Sequence, residues 1–197
     1  MPRLNKSLQR RKQLIPAIAK AFAELGYRRT TTAELAKRCK VQENILYRLW
    51  PDKKNMFLAA IEYVYRLSEE TWEKILEPSD SGESTAERIL DYESTHHGEF
   101  GLYRIIFAGL GEVDDPEIRN TLKKMYKRSH LFLQEQISVH HEGRGSNAVP
   151  PPELAAWAVI GLGTVANIGR ELGLFTDRRR RQMISAIGKL LLEGRAE

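Results

Sequence analysis

The stretch GYRRTTTAELAKRCKVQENILYRLWPDKKNMF, Gly26 to Phe57, decides the fold of this chain. Within it, Thr31 and Glu34 have the spacing of a capping box. In that motif the threonine hydroxyl accepts a hydrogen bond from the amide of the glutamate, and the glutamate carboxylate accepts one from the amide of the threonine. The pattern therefore predicts a short helix that begins at Thr31.

Further helices flank this short one. Before it, apolar residues recur at the spacing of one helix face: Leu14, Ile18, Phe22 and Leu25. Gly26 marks the end of this first helix. Pro16 lies near its start, so we expect the basic residues before Pro16 to form a separate turn or a loose arm.

After the short helix, Lys40 and Val41 are expected to form a turn, and a third helix runs from about Gln42 to Trp50. Pro51 ends it, because proline disfavours helical backbone at the residue before it. A longer fourth helix follows, and its apolar face consists of Met56, Phe57, Ala60, Ile61, Val64 and Leu67.

Positive charge is concentrated in this N-terminal part. Residues 1–54 hold 14 lysines and arginines against 4 acidic residues, so their net charge is +10, whereas the whole chain has +5 and the remainder −5. This asymmetry predicts a polyanionic partner, either nucleic acid or an acidic membrane surface. Three short helices with a tight turn between the last two match a helix-turn-helix unit, in which a short helix enters the major groove.

The same stretch resembles the signature of the tetracycline-repressor (TetR) family of bacterial regulators. The matching residues are Gly26, Tyr27, Thr30, Thr31, Ala36, Val41, Leu46, Tyr47 and Lys53, with Leu35 and Trp50 as conservative replacements. The chain length, the four N-terminal helices and the two closing helices extend a weaker resemblance over the whole chain. The resemblance implies an all-α DNA-binding regulator.

Three residues depart from the family pattern. Lys40 stands where the family has a turn glycine, Gln42 replaces a serine cap, and Asn44 replaces a second glycine. Either the turn is reshaped, or Lys40 adopts positive φ at a cost of roughly 1 kcal/mol. Asn44 places a side chain where the family lets its backbone approach DNA. The scaffold is therefore familiar, but the residues that would contact bases are not.

Base contacts are expected from the first turn of the third helix, which consists of Gln42, Glu43, Asn44 and Ile45. Asn44 can pair with adenine, Glu43 with the cytosine amino group, and the Ile45 methyls with a thymine methyl. The alternative role for Glu43 is to complement the positive end of the helix dipole.

Phosphate contacts are expected from neighbouring residues. The resemblance implies this role for the Tyr47 hydroxyl and for Lys53, and half-buried packing is the alternative for Tyr47. Further phosphate candidates are Thr30, Thr31, Arg38 and Arg48, of which the charged ones can instead be solvated. We assign the core of the small domain to Leu35, Leu46, Leu49 and Trp50.

The segment PSDSGES, residues 78–84, contains no apolar side chain and is the predicted domain boundary. Residues 1–54 are predicted to form the DNA-binding domain, a helix at 55–77 connects it to the body, and residues 84–197 form a helical effector-binding and dimerisation domain. Further helices are expected at about 84–97, 99–110, 115–141, 152–172 and 176–192. Strand patterns are poor throughout, so the predicted fold class is all-α, with about nine helices.

The resemblance also implies a dimer and a ligand pocket. In the TetR family the last two helices pair with their copies in a second subunit, which here assigns the interface to Ala158, Gly161, Val165, Ile184, Ile187 and Leu191. Family members hold a small-molecule effector in the helical body, and the candidate lining residues are Tyr92, His96, Tyr103, Phe107, Met125, Tyr126, His130 and Trp157. The alternative for both sets is ordinary core packing within one chain.

Other functional classes find little support. We expect no enzyme and no cofactor, because the sequence contains no paired carboxylates, nucleophile motif or phosphate loop. We expect no metal, because the adjacent histidines at 96–97 and 140–141 would point about 100° apart on a helix. Cys39 is the single cysteine and is expected to be a small buried residue. No apolar run approaches the roughly 18 residues of a membrane span, and the N-terminus lacks a signal-peptide core, so we expect a soluble cytoplasmic protein.

The sequence therefore predicts a homodimeric, ligand-responsive transcription repressor. It would bind a palindromic double-stranded DNA operator and be released by a small-molecule effector. Activation instead of repression stays open. The alternative function is a non-enzymatic helical adaptor that binds an acidic membrane surface or a protein partner through the basic residues between 3 and 12.

Overall fold

The computed structural model describes residues 2–78, 80, 82–144 and 150–193, and these residues form nine α-helices and no strand. The helices are α1 (Pro2–Arg29), α2 (Thr32–Cys39), α3 (Glu43–Leu49), α4 (Lys53–Leu76), α5 (Thr85–His96), α6 (Arg104–Leu110), α7 (Pro116–Arg144), α8 (Pro152–Glu171) and α9 (Asp177–Glu193). The predicted all-α fold class is confirmed. Ser79 and Ser81 of the predicted boundary segment lie outside the described residues.

The chain forms two compact units. The head unit consists of Met1–Glu69 and Phe100–Met125, and the body unit of Glu70–Glu99 and Tyr126–Glu197. The units do not follow the predicted boundary at 78–84, because α6 packs against α1 and brings its part of the chain into the head unit. The assignment of DNA binding and effector binding to residues 1–54 and 84–197 stays a prediction.

Helix α1 is longer than its apolar pattern predicted. It continues through Pro16, so the described residues before this proline are helical and do not form a separate turn or a loose arm. Pro16 is exposed, while Leu14, Ile15 and Ile18 on both sides of it are buried in the core. These core contacts hold the helix together where proline removes one backbone hydrogen bond. The helical conformation is interrupted at Gly26, where φ is 76°.

The head unit is built around buried aromatic and aliphatic side chains. The ring centroid of Phe57 on α4 lies 4.9 Å from that of Phe22 on α1 and 4.8 Å from that of Tyr27. The predicted core residues are all buried in the same cluster: Leu35, Leu46, Leu49 and Trp50. This part of the prediction is confirmed, and it means that α2 and α3 are held by their apolar faces.

The turn between α2 and α3 keeps its shape although it lacks the glycine. Lys40 adopts the left-handed conformation, with φ 54° and ψ 44°. The amide of Val41 donates to the carbonyl of Ala36 at 3.0 Å and that of Lys40 to the carbonyl of Lys37 at 3.1 Å. These two bonds form a Schellman motif. Of the two alternatives for this turn, the strained lysine is therefore the one that occurs.

The body unit contains α5, α8 and α9, and α9 packs against both of the others. Close approach of α5 and α9 depends on Gly188, since a Cβ atom there would lie 2.2 Å from Leu90 Cδ1. No helix in the described part of the chain is long and apolar enough to span a membrane.

Replacement of Lys40 by glycine should stabilise the head unit. Left-handed backbone costs a non-glycine residue about 1–2 kcal/mol, and the extra backbone entropy that glycine loses on folding offsets about 0.5–1 kcal/mol of the gain. We expect Lys40→Gly to raise the free energy of unfolding by about 0.5–1 kcal/mol, seen in urea denaturation as a higher midpoint with an unchanged slope.

Lys37→Gly is the matched control, because Lys37 lies within α2 and is exposed. It should lower the free energy of unfolding by about 0.5–1 kcal/mol. Equal destabilisation by both glycine variants would show that Lys40 is not strained in the folded protein.

Candidate nucleic-acid interface

The first turn of α3 presents polar side chains to solvent. Gln42 is the N-cap residue, with φ −80° and ψ 151°, but its side chain makes no capping hydrogen bond. Gln42, Glu43 and Asn44 are all exposed, as contact with base edges would require. Ile45 is only partly exposed and packs against the head core, so it offers less surface than its neighbours.

A chain of hydrogen bonds connects α3 to the start of α2. Thr32 donates its hydroxyl hydrogen to Glu43 Oε2 at 2.8 Å, and the Tyr47 hydroxyl donates to Thr32 Oγ1 at 3.1 Å. Sequence reasoning missed Thr32, although the i, i+4 spacing of Glu43 and Tyr47 places both on one face of α3. Tyr47 is 49% exposed, so its hydroxyl can exchange the bond to Thr32 for one to a phosphate.

Thr31 and Glu34 form half of the predicted capping box. The Thr31 hydroxyl oxygen accepts from the amide of Glu34 at 3.2 Å, which leaves the hydroxyl hydrogen for another acceptor. The Glu34 carboxylate does not complete the box, because it accepts from Arg38 Nε at 2.8 Å. Thr31 is exposed at the N-terminus of α2, in the position of a phosphate donor.

The structure corrects the prediction for Thr30. This residue is 0% exposed, and its hydroxyl donates to the carbonyl of Gly26 at 2.6 Å. The interruption of α1 at Gly26 deprives this carbonyl of a regular helical partner, and the Thr30 hydroxyl supplies one. Thr30 therefore supports the junction of α1 and α2 and is out of reach of a phosphate.

Arg38 has a structural role in the free protein, and its phosphate contact stays a prediction. Its guanidinium group forms ion pairs with Glu24 on α1 and Glu34 on α2, and 27% of its side chain is exposed. The hydrogen bond to Glu34, followed by that to Glu24, raises the pKa of Arg38. Arg48, by contrast, is exposed on α3 and stays a phosphate candidate.

The start of α4 positions two lysines. Asp52 caps this helix, since its Oδ1 accepts from the amide of Asn55 at 2.7 Å, a bond that lowers the pKa of Asp52. Lys53 Nζ donates to the carbonyl of Tyr27 at 3.1 Å and lies 4.4 Å from the centre of the Tyr27 ring. Lys54 forms ion pairs with Asp115 and Glu117. A phosphate that bound Lys53 would therefore share its ammonium group with the carbonyl and the ring of Tyr27.

In the described part of the chain, Cys39 and the histidines belong to no group of three or more potential ligands that could hold a metal ion. Cys39 is partly buried, with Sγ 3.8 Å from the carbonyl oxygen of Leu14, and burial raises the pKa of its thiol. A raised pKa leaves less of the reactive thiolate at neutral pH.

The eight candidate effector residues are divided between the two units. Tyr103, Phe107 and Met125 belong to the head unit, and the other five to the body unit. In the head unit the rings of Tyr103 and Phe107 are in edge contact, with centroids 5.9 Å apart.

Two further pairs of these residues form in the body unit, where Tyr92 and His96 have ring centroids 4.7 Å apart and His130 and Trp157 4.5 Å apart. His130 Nε2 also lies 2.9 Å from the carbonyl oxygen of Glu153. Burial raises the pKa of Tyr126. The structure thus shows three ring pairs, and the effector role of these residues stays a prediction.

The candidate dimer residues differ in exposure. Ala158, Gly161 and Val165 on α8 and Ile187 on α9 are exposed, and Leu191 is partly buried. Ile184 is a correction, because it is 4% exposed in the single chain and packs inside the body unit. The exposed apolar stripe of α8, which we call the α8 stripe, consists of Leu154, Trp157, Ala158, Gly161, Val165, Ile168 and Leu172. Trp157 is 45% exposed on this stripe, a position that the pocket assignment did not predict.

Comparison with known proteins agrees with this geometry. Residues 14–60, which include α2, α3 and most of the head core, match the model of the bacterial regulatory proteins of the tetR family. A nucleoid occlusion factor, SlmA of Vibrio vulnificus, is 35% identical over 165 residues, which are 80% of this chain and 81% of that protein. The chain belongs to the TetR family. This TetR-family protein is accordingly a helix-turn-helix DNA-binding transcription regulator.

Solved structures share its fold. A TetR-family transcriptional regulator from Cytophaga hutchinsonii has a TM-score of 0.79 and 16% sequence identity, with 98% of each chain covered. AibR, solved in complex with isovaleryl coenzyme A and operator DNA, has a TM-score of 0.69 and 17% identity, covering 94% of this chain and 100% of that one.

Proposed function

We propose that this TetR-family regulator is a homodimeric transcription repressor that binds a palindromic operator and that a small-molecule effector releases from DNA. The observation that carries the proposal is the first turn of α3, whose exposed side chains Gln42, Glu43 and Asn44 stand on a helix fixed by the buried Leu46 and Leu49. A short, rigid helix with a polar N-terminal turn is suited to the major groove.

Direct base contact is assigned to Asn44 and Gln42. The amide nitrogen of a carboxamide can donate to N7 of adenine while its oxygen accepts from the N6 amino group, which makes one bidentate contact. Glu43 is held by Thr32, so its carboxylate is oriented before DNA binds. Thr31, Tyr47, Arg48 and Lys53 supply the sequence-independent contacts to phosphates.

A homodimer is supported by the α8 stripe together with Ile187 on α9. Large apolar side chains at helical spacing are exposed on α8, and the small residues Ala158 and Gly161 between them allow a second helix to approach closely. A two-fold dimer would present two copies of α3 to related half-sites, which is the reason to expect a palindromic operator.

Release by an effector is supported by the fold shared with AibR, which was solved with both a coenzyme A thioester and operator DNA. An effector acts only if it binds one conformation of the dimer more tightly than the other. We propose the aromatic pairs of the body unit, Tyr92 with His96 and His130 with Trp157, as its first contacts.

Asn44→Ala and Tyr47→Phe should affect DNA binding in different ways. Duplexes would first be selected from a random 30 bp pool with the wild-type protein. Asn44→Ala should then weaken binding to the selected duplex by about 5- to 150-fold and leave binding to a random duplex unchanged, since a lost base contact costs about 1–3 kcal/mol. Tyr47→Phe should weaken binding to both duplexes by the same factor, measured by fluorescence anisotropy.

Asn120→Ala is the matched control, because Asn120 is an exposed asparagine on α7, and it should change neither affinity. The proposal is wrong if the wild-type protein binds selected and random duplexes equally at every salt concentration.

Ile187→Glu should dissociate the dimer. A carboxylate in an apolar interface has no partner and is costly to desolvate. We expect sedimentation equilibrium to give twice the chain mass of 22.6 kDa for the wild-type protein and the single mass for the variant. The affinity of the variant for the palindromic duplex should also fall, because a single chain binds only one half-site at a time.

Lys189→Glu is the control for this change, since Lys189 is exposed on the same helix. It should remain a dimer. A wild-type protein that sediments at the single-chain mass would contradict the dimer.

Nucleoid occlusion is the second candidate function, because the relative that is 35% identical over 80% of this chain carries the name nucleoid occlusion factor. Both functions require DNA binding, so the operator experiment does not separate them. Microscopy of cells that lack the protein separates them. Septa that form across nucleoids would indicate nucleoid occlusion, and normal septum placement would indicate that the protein acts only in the regulation of transcription.

A further inference from the structure

The N-terminal part of α1 carries cations that the family motif does not include. Lys6, Arg10, Arg11 and Lys12 are all exposed, and they precede the stretch 14–60 that matches the family model. The first acidic residue of the chain is Glu24. We call residues 6–13 the N-terminal arm.

The arm is held beside the helix-turn-helix by packing. The Arg11 guanidinium lies 5.7 Å from the centre of the Trp50 ring, and Trp50 ends α3. Cys39 Sγ at the end of α2 contacts the carbonyl oxygen of Leu14, and the charge of Arg10 acts on the same thiol. Because Cys39 is followed directly by the turn residues Lys40 and Val41, the arm lies next to the turn from which α3 begins.

The charges of the arm have no acidic partners in the described part of the chain. Other cations of the head unit do have them: Arg28 pairs with Glu112, Arg38 with Glu24 and Glu34, and Lys54 with Asp115 and Glu117. Lys6 and Arg10 lie four residues apart on α1, a spacing at which like charges destabilise a helix, and residues 6–13 include no acidic side chain. A bound polyanion would offset this repulsion between the cations.

The dimensions of the arm fit a few nucleotides. A helix rises about 1.5 Å per residue, so Lys6 lies about 12 Å along the axis from Leu14. Each DNA strand carries one phosphate per about 3.4 Å of duplex axis, so the arm is long enough to reach more than one phosphate.

We propose that the N-terminal arm binds backbone phosphates beside the bases that α3 contacts, so that Lys6, Arg10 and Lys12 add a sequence-independent part to DNA affinity. The proposal rests on the proposed DNA-binding function and extends its contact surface beyond residues 14–60. Arg11 keeps its place on Trp50 and connects the arm to α3.

The test is the salt dependence of binding by the triple variant Lys6→Gln, Arg10→Gln, Lys12→Gln. Each phosphate contact contributes about 0.9 to the slope of log affinity against log salt. The variant should lose up to about 2.7 from this slope, by the same amount on the selected duplex and on a random duplex. Glutamine has a helix propensity close to that of lysine and arginine, and circular dichroism would verify that α1 is retained.

The matched control is Lys123→Gln, Lys124→Gln, Lys127→Gln, which removes the same charge from exposed positions on α7. It should keep the wild-type slope. Ethylation interference should locate the contacts: phosphates whose modification blocks the wild-type protein but not the arm variant are those that the arm binds.

Equal slopes for the arm variant and the wild-type protein would overturn the proposal. Selective binding of the wild-type protein to its selected duplex would then still support the regulator function, so the two failures can be told apart. A membrane surface is the other source of phosphate groups. If vesicles with 30% phosphatidylserine bind the wild-type protein but not the arm variant, while both give the same slope on DNA, the arm is a membrane contact and the proposal is wrong.

Discussion

The burial of one face of α3 is the constraint on which the candidate interface depends. Leu46 and Leu49 are held in the head core with Phe22 and Phe57, so α3 can neither rotate nor slide without exposing them. Three consecutive residues at its start, Gln42–Asn44, are exposed as a result. A helix of only seven residues would not be stable in isolation, and tertiary packing supplies the rigidity that recognition of base edges requires.

Polar contacts refine this arrangement at the surface. Thr32 connects Glu43 and Tyr47, while Arg38 connects α2 to α1 through Glu24. In the free protein these groups are already engaged, so a DNA group that contacted them would have to replace some of their hydrogen bonds. Side chains of this kind can therefore contribute to specificity more than to affinity, whereas cations without acidic partners, as we propose for the N-terminal arm, would contribute to affinity directly.

Local patterns predicted much of the fold, and particular residues show why they did not predict all of it. Periodicity identified Leu35, Leu46, Leu49 and Trp50 as core because burial of apolar side chains follows directly from helical spacing. A threonine or an arginine, in contrast, can serve as a cap, an ion pair or a phosphate donor. Only the position of Gly26 O decided the role of Thr30, and only the positions of Glu24 and Glu34 showed which partners Arg38 has in the free protein.

By itself the sequence determined the all-α class and the location of the helix-turn-helix, because these depend on short-range spacing, capping and charge, and its resemblance to a known signature indicated the family. The tertiary structure decided which polar side chains are available. It buried Thr30, kept Lys40 in a left-handed turn, and directed Ile184 into the body unit while exposing Val165. It also made the basic N-terminal residues part of α1, the same helix whose later residues pack in the head core. The burial of Thr30 and Ile184 depends on packing between elements, which no local pattern contains, whereas the turn at Lys40 is closed by the local hydrogen bonds to Ala36 and Lys37.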